Sequence, residues 1–167
     1  MALIRLSKVV MVAGLAAYAL LVAFGNITDY GSNFAFIQHV MSMDTTFPGN
    51  KLMYRAITSP VLHNIAYCAI IAGEGLTGIV LAVAAGRLWA ARGDGARFSA
   101  AKGIVALGAA LAFLVWFVGF LLIAGEWFAM WQSPTWNGQE SAFRFIACFL
   151  LVTVFVMMPE ARGGEGD

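Results

Sequence analysis

Two stretches of this chain, residues 9–28 and 103–125, carry no charged side chain, and two more, 60–86 and 139–158, carry only Glu74, Glu140 and Arg144. Runs of this kind constrain the fold more than any other feature. About 20 apolar residues in a helix cross a bilayer core roughly 30 Å thick. Inside that core every backbone polar group must be satisfied by the chain itself, which a helix achieves locally. The pattern predicts an all-α membrane protein: four transmembrane helices in an up-down bundle, forming a single domain over 1–167. At about 1.5 Å per residue the 60–86 run is roughly 40 Å long, so it tilts or protrudes. The fourth run begins near Gln139, with Arg144 snorkelling to the interface.

Composition agrees. The chain is 61% hydrophobic and 11% charged, against about a quarter charged in soluble domains. That excludes a soluble enzyme and a disordered tail. A net charge of +1, with no basic cluster to neutralise phosphates, excludes a nucleic-acid binder. Arg5 and Lys8 followed by an apolar run ending at Ala23-Phe24-Gly25 also fit a signal-peptide pattern, but the run is long for one and reads as a span.

Basic residues set the orientation. Arg5, Lys8, Arg87, Arg92, Arg97, Lys102 and Arg162 fall on one side, against Lys51, Arg55 and Arg144 on the other. Both termini are expected in the cytoplasm of a bacterial inner membrane, with loops 29–59 and 126–140 on the outer face. Trp127, Trp131 and Trp136 crowd the outer boundary and Trp89 the inner one, as an aromatic belt would. Cys68 and Cys148 fall within spans and read as buried, inert thiols.

Loop 29–59 is long and rich in Phe, Met, Ile and Tyr. Phe34, Ile37 and Met41 recur at helical spacing, which predicts an interfacial helix over 32–43. With the Trp-rich loop it forms a structured outer-face cap. Ser59-Pro60 reads as a helix start with Ser59 as the capping side chain, whereas Gly93-Asp94-Gly95 reads as a loose end.

The strings Gly25-Asn-Ile-Thr-Asp-Tyr30, Ser32-Asn-Phe-Ala-Phe-Ile-Gln-His-Val40 and Met43-Asp-Thr-Thr-Phe-Pro48, with Gly125-Glu-Trp-Phe-Ala-Met-Trp-Gln-Ser133 and Trp136-Asn-Gly-Gln139, resemble a bacterial family of predicted small integral membrane proteins of unknown function, uncharacterised domain family 2165. The resemblance spans nearly the whole chain. It implies a four-helix inner-membrane protein and carries no catalytic residue onto this sequence.

Glu74 is the sharpest candidate for chemistry. It lies about 21 Å along its helix from the outer end, where an ionised carboxylate is costly and marks a functional-site hypothesis. His63, Tyr67, Glu74 and Gly78 share one helical face, which Ala82 is expected to continue. Small residues on it predict that the stripe faces the bundle interior. No Lys or Arg of another span lies at that depth, so Tyr18 and Thr153 are the expected hydrogen-bond partners. An interhelical hydrogen bond is the bland reading, and a proton or solute site the sharp one.

His39, Met41 and Met43 offer soft ligands suited to copper, with His63 near enough to join them, although Met at helical spacing usually fills an interface. A haem would need axial histidines, and only His39 and His63 exist. No cofactor or catalytic residue is expected.

Asp29, Asp44, Lys51, Arg55, Glu126, Glu140 and Arg144 belong to the cap, where ion pairs are expected to tie the two loops. Asp29, Asp44, Arg55, Glu126 and Arg144 among them, with Trp127, Trp131 and Trp136, form a candidate interaction surface. The leading expectation is a non-catalytic accessory subunit or assembly factor of a larger membrane complex, with the bilayer and a protein partner or further copies of itself as partners. Solute or proton binding at the Glu74 stripe is the alternative, followed by copper or haem binding at the outer face.

Overall fold

The computed structural model describes residues 2–160. Arg162, counted above on the basic side, and the tail 163–167 lie outside the described residues. Five helices organise the chain: α1 (Ala2–Thr28), α2 (Tyr30–Ser42), α3 (Pro60–Ala91), α4 (Gly95–Ala112, continued in wider π-helical form over Phe113–Trp127) and α5 (Gln139–Met157). Four of them, α1, α3, α4 with its extension, and α5, are long and apolar enough to cross a membrane. The described residues contain no strand. The interfacial helix expected over 32–43 is α2. It begins two residues earlier, separated from α1 by Asp29 alone.

Local chemistry sets the boundaries. Pro60 opens α3, where its missing N–H costs nothing. Ser59 is extended before it and makes no side-chain cap; instead its carbonyl accepts the His63 N–H at 3.0 Å. That corrects the capping role expected of Ser59. The turn at 93–95 is no loose end either. Asp94 Oδ1 accepts the N–H groups of Ala96 and Arg97 at 2.9 and 3.1 Å, satisfying two orphan donors at the start of α4.

α1 packs along α3, and α3 along α4. Small residues bring these helices close. A Cβ on Gly78 would lie 2.6 Å from Leu20 Cγ, and one on Gly108 2.5 Å from Leu81 Cδ2. The core between them includes Val12, Ala19, Leu81, Leu88, Phe98 and Val105. Toward the cap the arrangement changes. The Phe113–Trp127 segment leaves α3 and packs mainly against α5, and its last turn closes with Phe128 N–H on Ile123 O at 3.0 Å, five residues back. The cap half of the bundle is therefore splayed, and α2 sits over the opening.

Outward faces carry Leu21, Ile65, Val83, Leu114 and Leu151, all exposed as a lipid-facing surface requires. Cys68 and Cys148 are exposed as well. That overturns the buried-thiol reading: helical phase puts both on the outward face, and apolar surroundings in this chain include the lipid side.

At the opposite end Lys8 and Lys102, counted above among the cations of the basic side, are buried in α1 and α4. Their ammonium groups meet Glu160 Oε1 at 2.7 and 2.6 Å, and Arg5 Nε meets Oε2 at 3.2 Å. Lys8 and Lys102 also donate to the Met158 carbonyl at 2.9 and 2.7 Å. Burial alone would raise the Glu160 carboxyl, but the hydrogen bonds from Lys102, Lys8 and Arg5 bring it down to about 2.

Candidate functional site

The polar stripe of α3 points inward. His63, Tyr67 and Glu74 are 4%, 2% and 2% exposed, and Gly78 is buried against Leu20. Ala82, expected to extend the stripe, is exposed; the buried face continues through Leu81 and Ala85. A straight helix drifts by such a step over several turns.

Glu74 is held from α1. Asn26 Nδ2 donates to Glu74 Oε2 at 2.7 Å, and the Tyr67 hydroxyl donates to the Asn26 carbonyl at 3.0 Å. Neither expected partner takes part. Tyr18 stacks on Phe145 with ring centroids 4.4 Å apart, and the Thr153 hydroxyl donates to the Phe149 carbonyl of its own helix at 2.7 Å. Depth alone pointed to them, but depth does not settle which face a side chain occupies. Asn26 stood in the sequence as the last polar amide of the first span. Its place two residues before the helix end was the available signal.

Glu74 Oε1 has no donor among the described residues, and the carboxyl lines a cavity of about 320 Å³. All five helices contribute to its wall. Val22 and Asn26 come from α1, Asn33 from α2, Tyr67 from α3, Trp116 from the π-helical segment and Ser141 from α5, with Asn137 and Gly138 closing it from the 126–140 loop. Amide, hydroxyl and carboxyl groups are thus set among aromatic rings, as in a site that orients a small molecule by a few polar contacts.

His63 is not part of that wall. Its Nε2 lies 2.7 Å from the Ile57 carbonyl, which can only accept, so Nε2 carries the proton. Nδ1 has no hydrogen-bond partner among the described residues. His39 Nδ1 lies 2.8 Å from Asp44 Oδ2, and its ring stacks on Trp136 at 4.5 Å. Met43 is buried in the cap with a left-handed backbone, beside Val40 and Met130. Met41 lines an apolar cavity. The sequence-expected ligands therefore serve different neighbours, and the described residues contain no group of three His, Cys, Asp or Glu side chains able to hold a metal ion.

The cap is tied together, though not by ion pairs between its loops. Gln132 Oε1 accepts the Phe47 N–H and the Asn50 amide, each at 3.1 Å, and the Thr45 and Ser133 hydroxyls bond at 2.8 Å. Arg55 donates to the Trp127 carbonyl at 3.3 Å and lies over its ring, 4.8 Å from the centroid. The close contacts of the charged cap residues are local: the His39 ring with the Asp44 carboxyl within loop 29–59, and Arg144 with Glu140 at 3.7 Å within α5. Neutral hydrogen bonds and an aromatic cluster replace the expected ionic ties. Trp127 and Trp131 are half exposed, as an interfacial belt would be, whereas Trp136 is drawn into the cap beside His39.

A capped, splayed bundle of four helices long and apolar enough to span a membrane, with a polar cavity in its cap half, defines the class: an integral membrane protein. The chain belongs to the family described as predicted small integral membrane protein, DUF2165, whose model matches residues 4–159. No curated protein and no solved structure matches it.

Proposed function

We propose that this protein binds a small molecule bearing an ammonium group in the Glu74 cavity. The single observation that carries this reading is the Glu74 carboxyl itself: one oxygen is held by Asn26 while the other has no protein donor and borders a cavity walled by all five helices. A carboxyl so placed accepts a hydrogen bond from whatever enters. No cation of the protein is hydrogen-bonded or ion-paired to it among the described residues. An ammonium group supplies both the donor and the countercharge, and low dielectric strengthens that pairing. On this reading the basic end of the bundle faces the cytoplasm from a bacterial inner membrane, by the bias of Lys and Arg toward that side, and the cavity belongs to the outer half. Calorimetric titration of butylammonium into the protein in lipid nanodiscs tests the reading. Saturable binding that Glu74→Gln abolishes is expected; no binding, or equal binding by the Gln variant, would overturn it.

A second reading, a non-catalytic accessory subunit or assembly factor, draws on the cap. Phe47, Tyr54 and Trp131 stand exposed there, 55%, 74% and 48% respectively, and exposed apolar patches mark interaction sites. Purification from native membranes in mild detergent should then bring down a stoichiometric partner, and a clean monomer would end this reading.

A further inference from the structure

The Glu74 cavity has a neighbour. A second cavity of about 220 Å³ lies between α2, α3 and the π-helical segment, lined only by apolar side chains and Gly119. Phe36, Ile37, Ile70 and Phe120 line both. These four residues are the shared wall between a space with a carboxyl, three amides and two hydroxyls and a space with no polar side chain at all. The division follows from the splaying of the outer half. Where the π-helical segment leaves α3, Tyr67 and Glu74 face the first space, Ala66 faces the second, and Ile70 stands between them.

We propose that the ligand is an amphiphile: its ammonium head pairs with Glu74, and its unbranched apolar tail passes the Phe36, Ile37, Ile70 and Phe120 wall into the second cavity. This rests on the ammonium reading above and adds the tail. A head without a tail leaves the second cavity unused, and a tail without a head has nothing to hold it at Glu74. Burying each methylene of the tail in an apolar space tightens binding about fourfold.

Gly119 gives a means to test the tail alone. It lines only the second cavity, and a Cβ there would meet nothing nearer than the Leu114 carbonyl at 3.7 Å. The backbone therefore admits a larger residue, which takes up cavity space. Ala124, on the same wall, provides an independent second variant. Butylammonium and octylammonium are titrated calorimetrically into wild type, Gly119→Leu and Ala124→Leu in nanodiscs, with helical content checked by circular dichroism.

The expected result is that octylammonium binds wild type at least about 30-fold tighter than butylammonium. In Gly119→Leu, or in Ala124→Leu should the first not fold, that gain falls below about threefold while butylammonium binds as before. Butylammonium binding that needs Glu74, with no gain for the longer chain, overturns the amphiphile and leaves the ammonium site standing. A gain that survives both variants is partition into the lipid and overturns it equally. Absence of binding by either probe removes both proposals.

Discussion

The Asn26 amide of α1 reaches across to Glu74 of α3 and donates to its Oε2 at 2.7 Å, while its own backbone carbonyl accepts the Tyr67 hydroxyl. One residue thus fastens two points of the α3 stripe to α1. Asn26→Ala removes the side-chain bond but keeps the carbonyl, and interhelical bonds of this sort are worth about 1 kcal/mol in membranes. Asn26→Asp sets a second carboxyl against the first and should cost more than Ala. Thermal unfolding of both variants in one detergent checks the order; an Asp variant as stable as wild type would contradict it.

Glycines along α3 should differ sharply in what they tolerate. A Cβ on Gly78 would lie 2.6 Å from Leu20 Cγ and 3.0 Å from the Leu20 backbone nitrogen, whereas one on Gly75 meets only the Ala23 Cβ at 4.0 Å. Gly78→Ala is expected to destabilise by about 2 kcal/mol through overpacking. Gly75→Ala should be neutral or slightly stabilising, because alanine favours helix. Equal melting temperatures for the two variants would refute this.

The Glu160 cluster predicts an acid limit. Its carboxyl sits at about 2 in the folded protein against an ordinary 4.5. The stability it contributes is complete above about pH 4.5 and is lost as pH falls from there through 2. Glu160→Gln leaves the buried Lys8 and Lys102 facing each other without a counter-ion, at a cost of about 3 kcal/mol at neutral pH. Melting curves between pH 7 and 2.5 should show a drop in wild type that is flattened in the variant.

Gln132 holds the cap by accepting from Phe47 and Asn50. Gln132→Ala should cost about 1–2 kcal/mol and act locally. Hydrogen exchange followed by mass spectrometry is expected to speed up over residues 44–52 while α1, α3 and α5 keep their protection. Loss of protection throughout the bundle would show that the cap is not a separate cooperative unit.

Much of this architecture could be read from the order of residues alone. Uncharged runs locate four spans because a bilayer sets the required length. The stripe of His63, Tyr67 and Glu74 was legible because helical period is regular over three turns. What resisted was anything set by rotation or by partners remote in sequence. Asn26 lies 48 residues before Glu74, and nothing local marks the pairing. Cys68 looked buried because an apolar neighbourhood does not distinguish protein from lipid. The sharing of Glu160 among Arg5, Lys8 and Lys102 joins chain segments more than 50 residues apart. The cavity itself has no sequence signature, since it arises where the π-helical segment departs from α3.

Asp29 alone separates α1 from α2, and a single extended residue gives at most about 3.6 Å of reach. α2 contributes Phe36 and Ile37 to both cavities, and the last turn of α1 begins within a residue or two of Asn26. Roof and latch are consequently joined through Asp29. The backbone that carries Asn26 to Glu74 and the backbone that lays α2 over both cavities are thus one short stretch of chain, so the position of α2 and the hold on Glu74 are set from the same few residues.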